Sequence, residues 1–202
     1  MQITAIKQQV KRAGRFSLFV DDTYAFSLSE NALLEQGIRI GQEVTPEELQ
    51  SFKEASQLDK AYNLTLAYVA RRQRSEWELH DYFRRKAVDE EAGEIILARL
   101  RSFNYVNDAH FARAWVENRR LLKPMSRRRL RLELKQKHVA DDIIAQVLDD
   151  DETSDRDTLV QLIERKRKQS RYQDDSKLMQ YLVRQGYSYD DVKRVMQQTD
   201  EG

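Results

Sequence analysis

The feature that most limits how this chain can fold is that its helical part reads the same way three times. Ser75 is followed by Leu79 and Phe83, Ser126 by Leu130 and Leu134, and Asp174 by Leu178 and Leu182. Each set begins with a residue able to cap a helix and continues with apolar residues four and eight places on, the spacing of one helix face. Eleven residues before each cap stand Leu64, Trp115 and Ile163, and further on come Ile96, Val147 and Val195. The caps lie 51 and then 48 residues apart. A period of this length predicts three units of three short helices, each burying a face against its neighbours. With only six Gly and two Pro in 202 residues, the joints must be short.

Ahead of the repeats the periodicity is that of strands. Ile3 to Val10 reads as one strand, Phe16, Leu18 and Val20 as a second, and Tyr24, Phe26 and Leu28 as a third. Ala13-Gly14 and Asp21-Asp22-Thr23 supply turn chemistry between them. A short helix near Ser29 to Glu35 and a brief strand between Gly37 and Gly41 complete a unit too small to bury much by itself. Thr45-Pro46-Glu47-Glu48 then opens a helix with a capping box and a proline at its first position. The expected fold is mostly α: tandem three-helix repeats, elongated and curved, with a small β-rich N-terminal extension. The boundaries fall at 1–45 for the extension, 46–106 for a linker helix and the first repeat, 107–150 for the second and 151–202 for the third.

The repeats act as controls for one another. The middle helix of the second unit starts Ser126-Arg-Arg-Arg, and six of the twelve residues from Ser126 to Lys137 are basic. Cations in a first turn oppose the helix dipole. The matching helix of the first unit starts Ser75-Glu-Trp-Glu, with acids at that end, so helix formation does not demand the arginines. At about 100° per residue, Arg128, Arg131 and Lys135 form one stripe roughly opposite Leu130 and Leu134. The formal net charge of +1 hides this segregation. Arg113 to Val139 carries ten basic and two acidic residues, and Asp141 to Asp157 carries eight acidic and one basic. The candidate anion-binding surface is therefore Arg119, Arg120, Lys123, Arg127, Arg128, Arg129, Arg131 and Lys135, with a second patch at Arg165, Lys166, Arg167 and Lys168. Both patches also read as ordinary solvated faces. Asp149 to Glu152 reads as a solvated joint, since adjacent carboxylates lack the alternating spacing of a calcium loop.

Little points to catalysis. His80, His110 and His138 are scattered, and cysteine is absent, so no zinc set, thiolate nucleophile or disulfide framework is on offer. No phosphate loop or Gly-x-Ser-x-Gly elbow occurs. The chain is expected to be a non-enzyme without a cofactor. The first residues have no apolar signal core, and no stretch approaches about 18 apolar residues, so a cytoplasmic protein that does not enter a membrane is expected. Among the aromatics, Phe111 and Trp115 fall at helical spacing with Ala112 and read as core, whereas Trp77 lies off the Leu79–Phe83 ridge and is the better surface contact.

Three stretches resemble the RecX family, bacterial regulators of the RecA recombinase. They are Arg74-Ser75…Glu78-Leu79…Phe83-Arg-Arg-Lys, Leu100…Tyr105-Val-Asn-Asp108…Phe111-Ala112…Trp115, and the arginine-rich run from Ser126 to Leu134. The likeness spans about residues 58 to 197, and the β-rich extension matches an N-terminal addition of some members. Ala87 and His138 stand where the family usually has glycine, and Gly186 keeps it. The resemblance implies a protein that binds RecA and the RecA–DNA filament and dampens its ATPase, strand-exchange and coprotease activities, with single- or double-stranded DNA as a further partner. The alternative from the residues alone is a helical-repeat nucleic-acid-binding protein that acts without RecA. A monomer is expected. Small-angle scattering should give a radius of gyration above the compact value of about 17 Å for this length.

Overall fold

The computed structural model describes residues 1–200. It divides into two compact units, residues 1–73 with 82–105, and residues 74–81 with the chain from Val106 onward.

The first unit opens with an antiparallel meander, β1 (Ile3–Gln8), β2 (Arg15–Val20) and β3 (Thr23–Ser29). Asp21 and Asp22, at φ 46° and 62°, make the two-residue turn whose twist matches the flanking strands. Leu18, Val20, Phe26 and Leu28 are buried with Ile3, Ile38 and Val44. Tyr24 leaves this set. Leu18 pairs with Phe26 but Phe19 with Tyr24, and this register shift turns Tyr24 outward, 55% exposed, with its ring edge on Phe19. The expected strand between Gly37 and Gly41 does not form. Both glycines have positive φ, and the chain reaches β1 only at single points, Gly41 N–H to Ile3 O at 2.8 Å and Ile3 N–H to Gln42 O at 2.9 Å.

The sheet leans on the helix that follows, as its size requires. After α1 (Glu30–Gln36), α2 (Pro46–Val69) starts with the expected capping box of Thr45 and Glu48 and packs Leu49 and Phe52 on the sheet core. A buried polar pin reinforces this. Asp59 accepts from Arg15 Nη1 at 3.0 Å, from the Ser29 backbone N–H at 2.9 Å and from Ser29 Oγ at 2.5 Å. One carboxylate thereby ties β2, the cap of α1 and α2 together. The unit is completed by the C-terminal part of α3 (Glu76–Arg85) and by α4 (Glu90–Ser102), where the Tyr68 and Tyr82 rings stack at 4.3 Å and Gly93 leaves room for the Phe83 ring.

The second unit holds the N-terminal part of α3 and two complete repeats. These are α5 (Asp108–Leu122), α6 (Arg127–Gln136) and α7 (Asp141–Asp150), then α8 (Asp155–Arg167), α9 (Asp175–Arg184) and α10 (Tyr189–Asp200). Leu130 and Leu134 lie with Phe111, Val116 and Ile144 in one buried cluster, and Leu178 and Leu182 lie with Leu162, Val192 and Val195 in another. Each of these repeats therefore closes a core of its own, which corrects the expectation that repeats bury a face against their neighbours. The slot shared by Leu64, Trp115 and Ile163 is also not one environment. Ile163 is 1% exposed, Trp115 is half-buried and Leu64 is 51% exposed.

Every middle helix ends in the same left-handed closure. Ala87, His138 and Gly186 have φ of 50°, 55° and 94°. The next residue donates back in each case, Val88 to Phe83 O at 3.0 Å, Val139 to Leu134 O at 3.2 Å and Tyr187 to Leu182 O at 3.4 Å. Glycine is needed only at the third closure, where a Cβ would lie 2.3 Å from Ser126 Oγ and 2.7 Å from Arg129 Cβ. Gly186→Ala should therefore destabilise the protein by more than the ~1 kcal/mol of a left-handed alanine, whereas Ala87→Gly should stabilise it slightly. Paired urea titrations monitored by circular dichroism check both.

Candidate binding surface

The geometry of α6 explains how a helix can begin with three arginines. Ser126 caps it, its Oγ accepting from Arg129 N–H at 3.2 Å. The acid that the first turn lacks comes from the next repeat. Both carboxylate oxygens of Asp155, the first residue of α8, accept from the Arg127 backbone N–H at 3.0 Å. A negative charge placed there offsets the helix dipole and the local arginines together.

The same acidic segment takes up two of the candidate arginines. Arg120, its side chain 11% exposed, reaches Asp151 at 2.8 Å and Asp155 at 3.4 Å and donates to Met125 O at 2.7 Å. The Arg127 guanidinium donates to Asp151 O. Arg120 is thus buried structure, not docking surface, and Asp151 does not belong to a solvated joint, its side chain being only 10% exposed. Burial pushes the Asp151 carboxyl up, but hydrogen bonds from Thr153 and Arg120 outweigh it and leave the group below the ordinary carboxylate range.

Other candidates are anchored by Glu133, the one acid between Ser126 and Lys137. Its carboxylate accepts from Arg119 Nε at 2.7 Å and from Trp115 Nε1 at 3.0 Å, and Arg129 Nε lies 3.9 Å away. Arg119 also stacks on the Trp115 ring at 4.4 Å. Trp115 packs against the second-repeat core with its polar edge on this cluster. Trp77 is exposed, as expected, but its outer ring face is not bare, since it stacks on His138 at 4.3 Å and 15°.

What remains open to solvent is narrower than the candidate set. Arg128, Arg131 and Lys135 are all exposed on the side of α6 away from Leu130 and Leu134. Arg128 and Arg131 enter no salt bridge among the described residues, and Lys135 meets Asp141 at 2.9 Å in an exposed pair of the kind that contributes little. Leu132 lies among them, 45% exposed. Lys123 is exposed at the end of α5. The second patch is divided. Arg165 and Lys168 are exposed, Lys166 sits over the Tyr172 and Tyr181 rings at 5.2 and 4.7 Å, and Arg167 bonds Asp175 at 2.5 Å. Among the described residues no group of three or more His, Asp or Glu is placed to hold a metal ion, and no helix is long and apolar enough to cross a membrane.

Three successive three-helix repeats after a small β meander define a class of helical-repeat proteins. Comparison with known proteins is specific. Family models match four segments in order: the regulatory protein RecX N-terminal domain at residues 1–45 and the RecX first, second and third three-helix domains at 61–100, 107–148 and 154–196. The chain belongs to the RecX family. A regulatory protein RecX of Lactobacillus johnsonii is 35% identical over 74% of this chain and 56% of its own length. One from Bacillus licheniformis is 29% identical over 98% of this chain and 77% of its own. The chain thus spans little more than half the length of the Lactobacillus relatives it matches. A crystal structure of regulatory protein RecX superposes with a TM-score of 0.74 at 24% identity, covering 97% of this chain and 98% of the other, and one from Lactobacillus salivarius gives 0.62 at 23% identity over 73% and 99%.

Two outcomes follow from the buried charges. Trp115→Ala should cost about 3 kcal/mol, from lost packing and the lost indole hydrogen bond to Glu133, which keeps Arg119, read by thermal melts. Because the Asp151 carboxyl is held below its unfolded value, its contribution is complete at neutral pH and is lost only as pH falls below about 4. Urea midpoints measured from pH 7 to 3 should be flat on account of this group until that point.

Proposed function

We propose that this protein binds RecA and the RecA–DNA filament and dampens the filament's ATPase, strand-exchange and coprotease activities, with the outer face of α6 as the contact. Family membership supports the regulatory role. The observation that carries the choice of surface is the condition of Arg128 and Arg131. Most arginines near them are engaged internally, whereas these two are exposed and form no salt bridge among the described residues, on a helix whose position is already fixed by other residues. Side chains that neither cap nor pack are free to meet an anionic partner at small cost in reorganisation. Phosphate oxygens and the carboxylates of a protein filament both offer the needed charge.

The test is Arg128→Gln/Arg131→Gln/Lys135→Gln in one chain. Stability should change by less than about 0.5 kcal/mol, because the three touch no packed surface. Binding to RecA–DNA filament, and inhibition of its DNA-dependent ATPase, should weaken clearly. If the face reads phosphate, the log–log salt slope for naked DNA should also fall by roughly 0.7 to 0.9 for each phosphate no longer neutralised. If it reads protein carboxylates, filament binding falls and affinity for naked DNA holds. Wild-type behaviour against both would overturn the assignment.

A further inference from the structure

We propose that the third repeat is hinged on the second through a polar latch, Asp155 against Arg120 and the Arg127 backbone N–H with Asp151 at the end of α7 holding Arg120 in place, which opens while both repeats stay folded. The two repeats close separate apolar cores, and none of the residues of one cluster appears in the other. Hydrogen bonds and ion pairs between them gather at one place. Arg120 serves Asp151, Asp155 and Met125 O at once. Asp155 serves Arg120 and the Arg127 backbone N–H, and Ser126 bonds Gln185 O through both its N–H and its Oγ, at 3.1 and 3.2 Å.

Such a joint responds to stress differently from a core. Separating two apolar faces exposes surface that water does not stabilise, so an apolar joint stays shut until the fold melts. Separating these ions returns the Arg120 guanidinium and the carboxylates it serves to water, and their recovered hydration offsets most of the forfeited attraction. The joint therefore opens at a free energy well below that of unfolding either core, the usual condition for a local, sub-global opening. Its bonds also share members. Arg120 reaches both carboxylates and Asp155 reaches two donors, so breaking one bond weakens the rest and the latch behaves as a unit. The pivot is placed by Gly186, whose bare Cα lets the α9 closure sit directly on Ser126 and Arg129.

The experiment is a distance measurement between the two repeats. The chain has no cysteine, so Gln146→Cys on α7 and Gln180→Cys on α9, both exposed, place two spin labels and no others. Double electron–electron resonance on the otherwise wild-type chain should give one narrow distance distribution. Arg120→Gln and, separately, Asp151→Asn should each broaden or shift it, with far-UV circular dichroism retained, and the double variant should add nothing beyond either alone. Coincident distributions in wild type and both variants would overturn the latch. So would loss of helicity in both single variants, since these residues would then belong to the cores and not to a hinge. Neither result bears on whether α6 contacts RecA, which the glutamine variants test separately.

Discussion

The placement of the second repeat's middle helix turns on one carboxylate it does not own. Asp155 sits at the start of α8 and accepts from the first backbone N–H of α6. A helix beginning Ser-Arg-Arg-Arg has a positive dipole end crowded by cations, and no acid occurs in its own first turn. Supplying that acid from the next repeat removes the conflict and joins the two repeats through the same hydrogen bonds. The arginine side chains then point elsewhere, Arg127 to the Asp151 carbonyl and Arg128 to solvent.

The same device occurs one joint earlier. Asp108, first in α5, accepts from the Glu76 backbone N–H at 2.8 Å, just as Asp155 serves Arg127. Ser75 Oγ donates to Lys137 O at 3.1 Å, just as Ser126 Oγ donates to Gln185 O. In both places the capping serine of one middle helix meets the left-handed end of the next, and an aspartate at the start of the following repeat closes the free N–H. The side contacts differ. At the earlier joint Trp77 stacks on His138 and Lys137 bonds Glu78 at 3.1 Å, while at the later one Gly186 stands in the place of His138 and Arg120 bonds Asp151. The third cap is Asp174, whose carboxylate can accept but cannot donate to a carbonyl as a serine does, so α9 does not offer the same contact.

Local order was legible in the sequence because it is written at fixed spacing. Leu130 and Leu134 or Leu178 and Leu182 declare a buried face within eight residues of their cap, and the capping box at Thr45 needs only four residues to be recognised. Left-handed ends at Ala87 and His138 were less legible, because the residue type there does not advertise the conformation and only alignment to Gly186 does. Tyr24 was misplaced because alternation assumes an unbroken register, and the shift beside Phe19 is decided by pairing across strands. Asp59 and Glu133 were missed for a different reason. A single acid in a helix carries no periodic signal, and its role depends on donors 44 residues away at Arg15 or 14 away at Arg119. The one available hint was negative, a lone carboxylate inside an otherwise basic helix.

Blocks of like charge along a chain are not blocks in space. The basic run from Arg113 to Val139 and the acidic run from Asp141 to Asp157 look like two surfaces of opposite sign, but members of each meet in the folded chain. Arg120 with Asp151 and Lys135 with Asp141 pair a cation of the first with a carboxylate of the second, and the Arg127 guanidinium is held by the Asp151 carbonyl. Counting charge in sequence therefore overstates the cationic surface, and subtracting the internal pairs identifies it. What survives the subtraction on α6 is Arg128 and Arg131, with Leu132 beside them. The sign of a run therefore says less about a surface than the partner each side chain meets: Arg127 and Arg128 are adjacent in sequence, yet the first turns its guanidinium to the Asp151 carbonyl while the second stays in solvent.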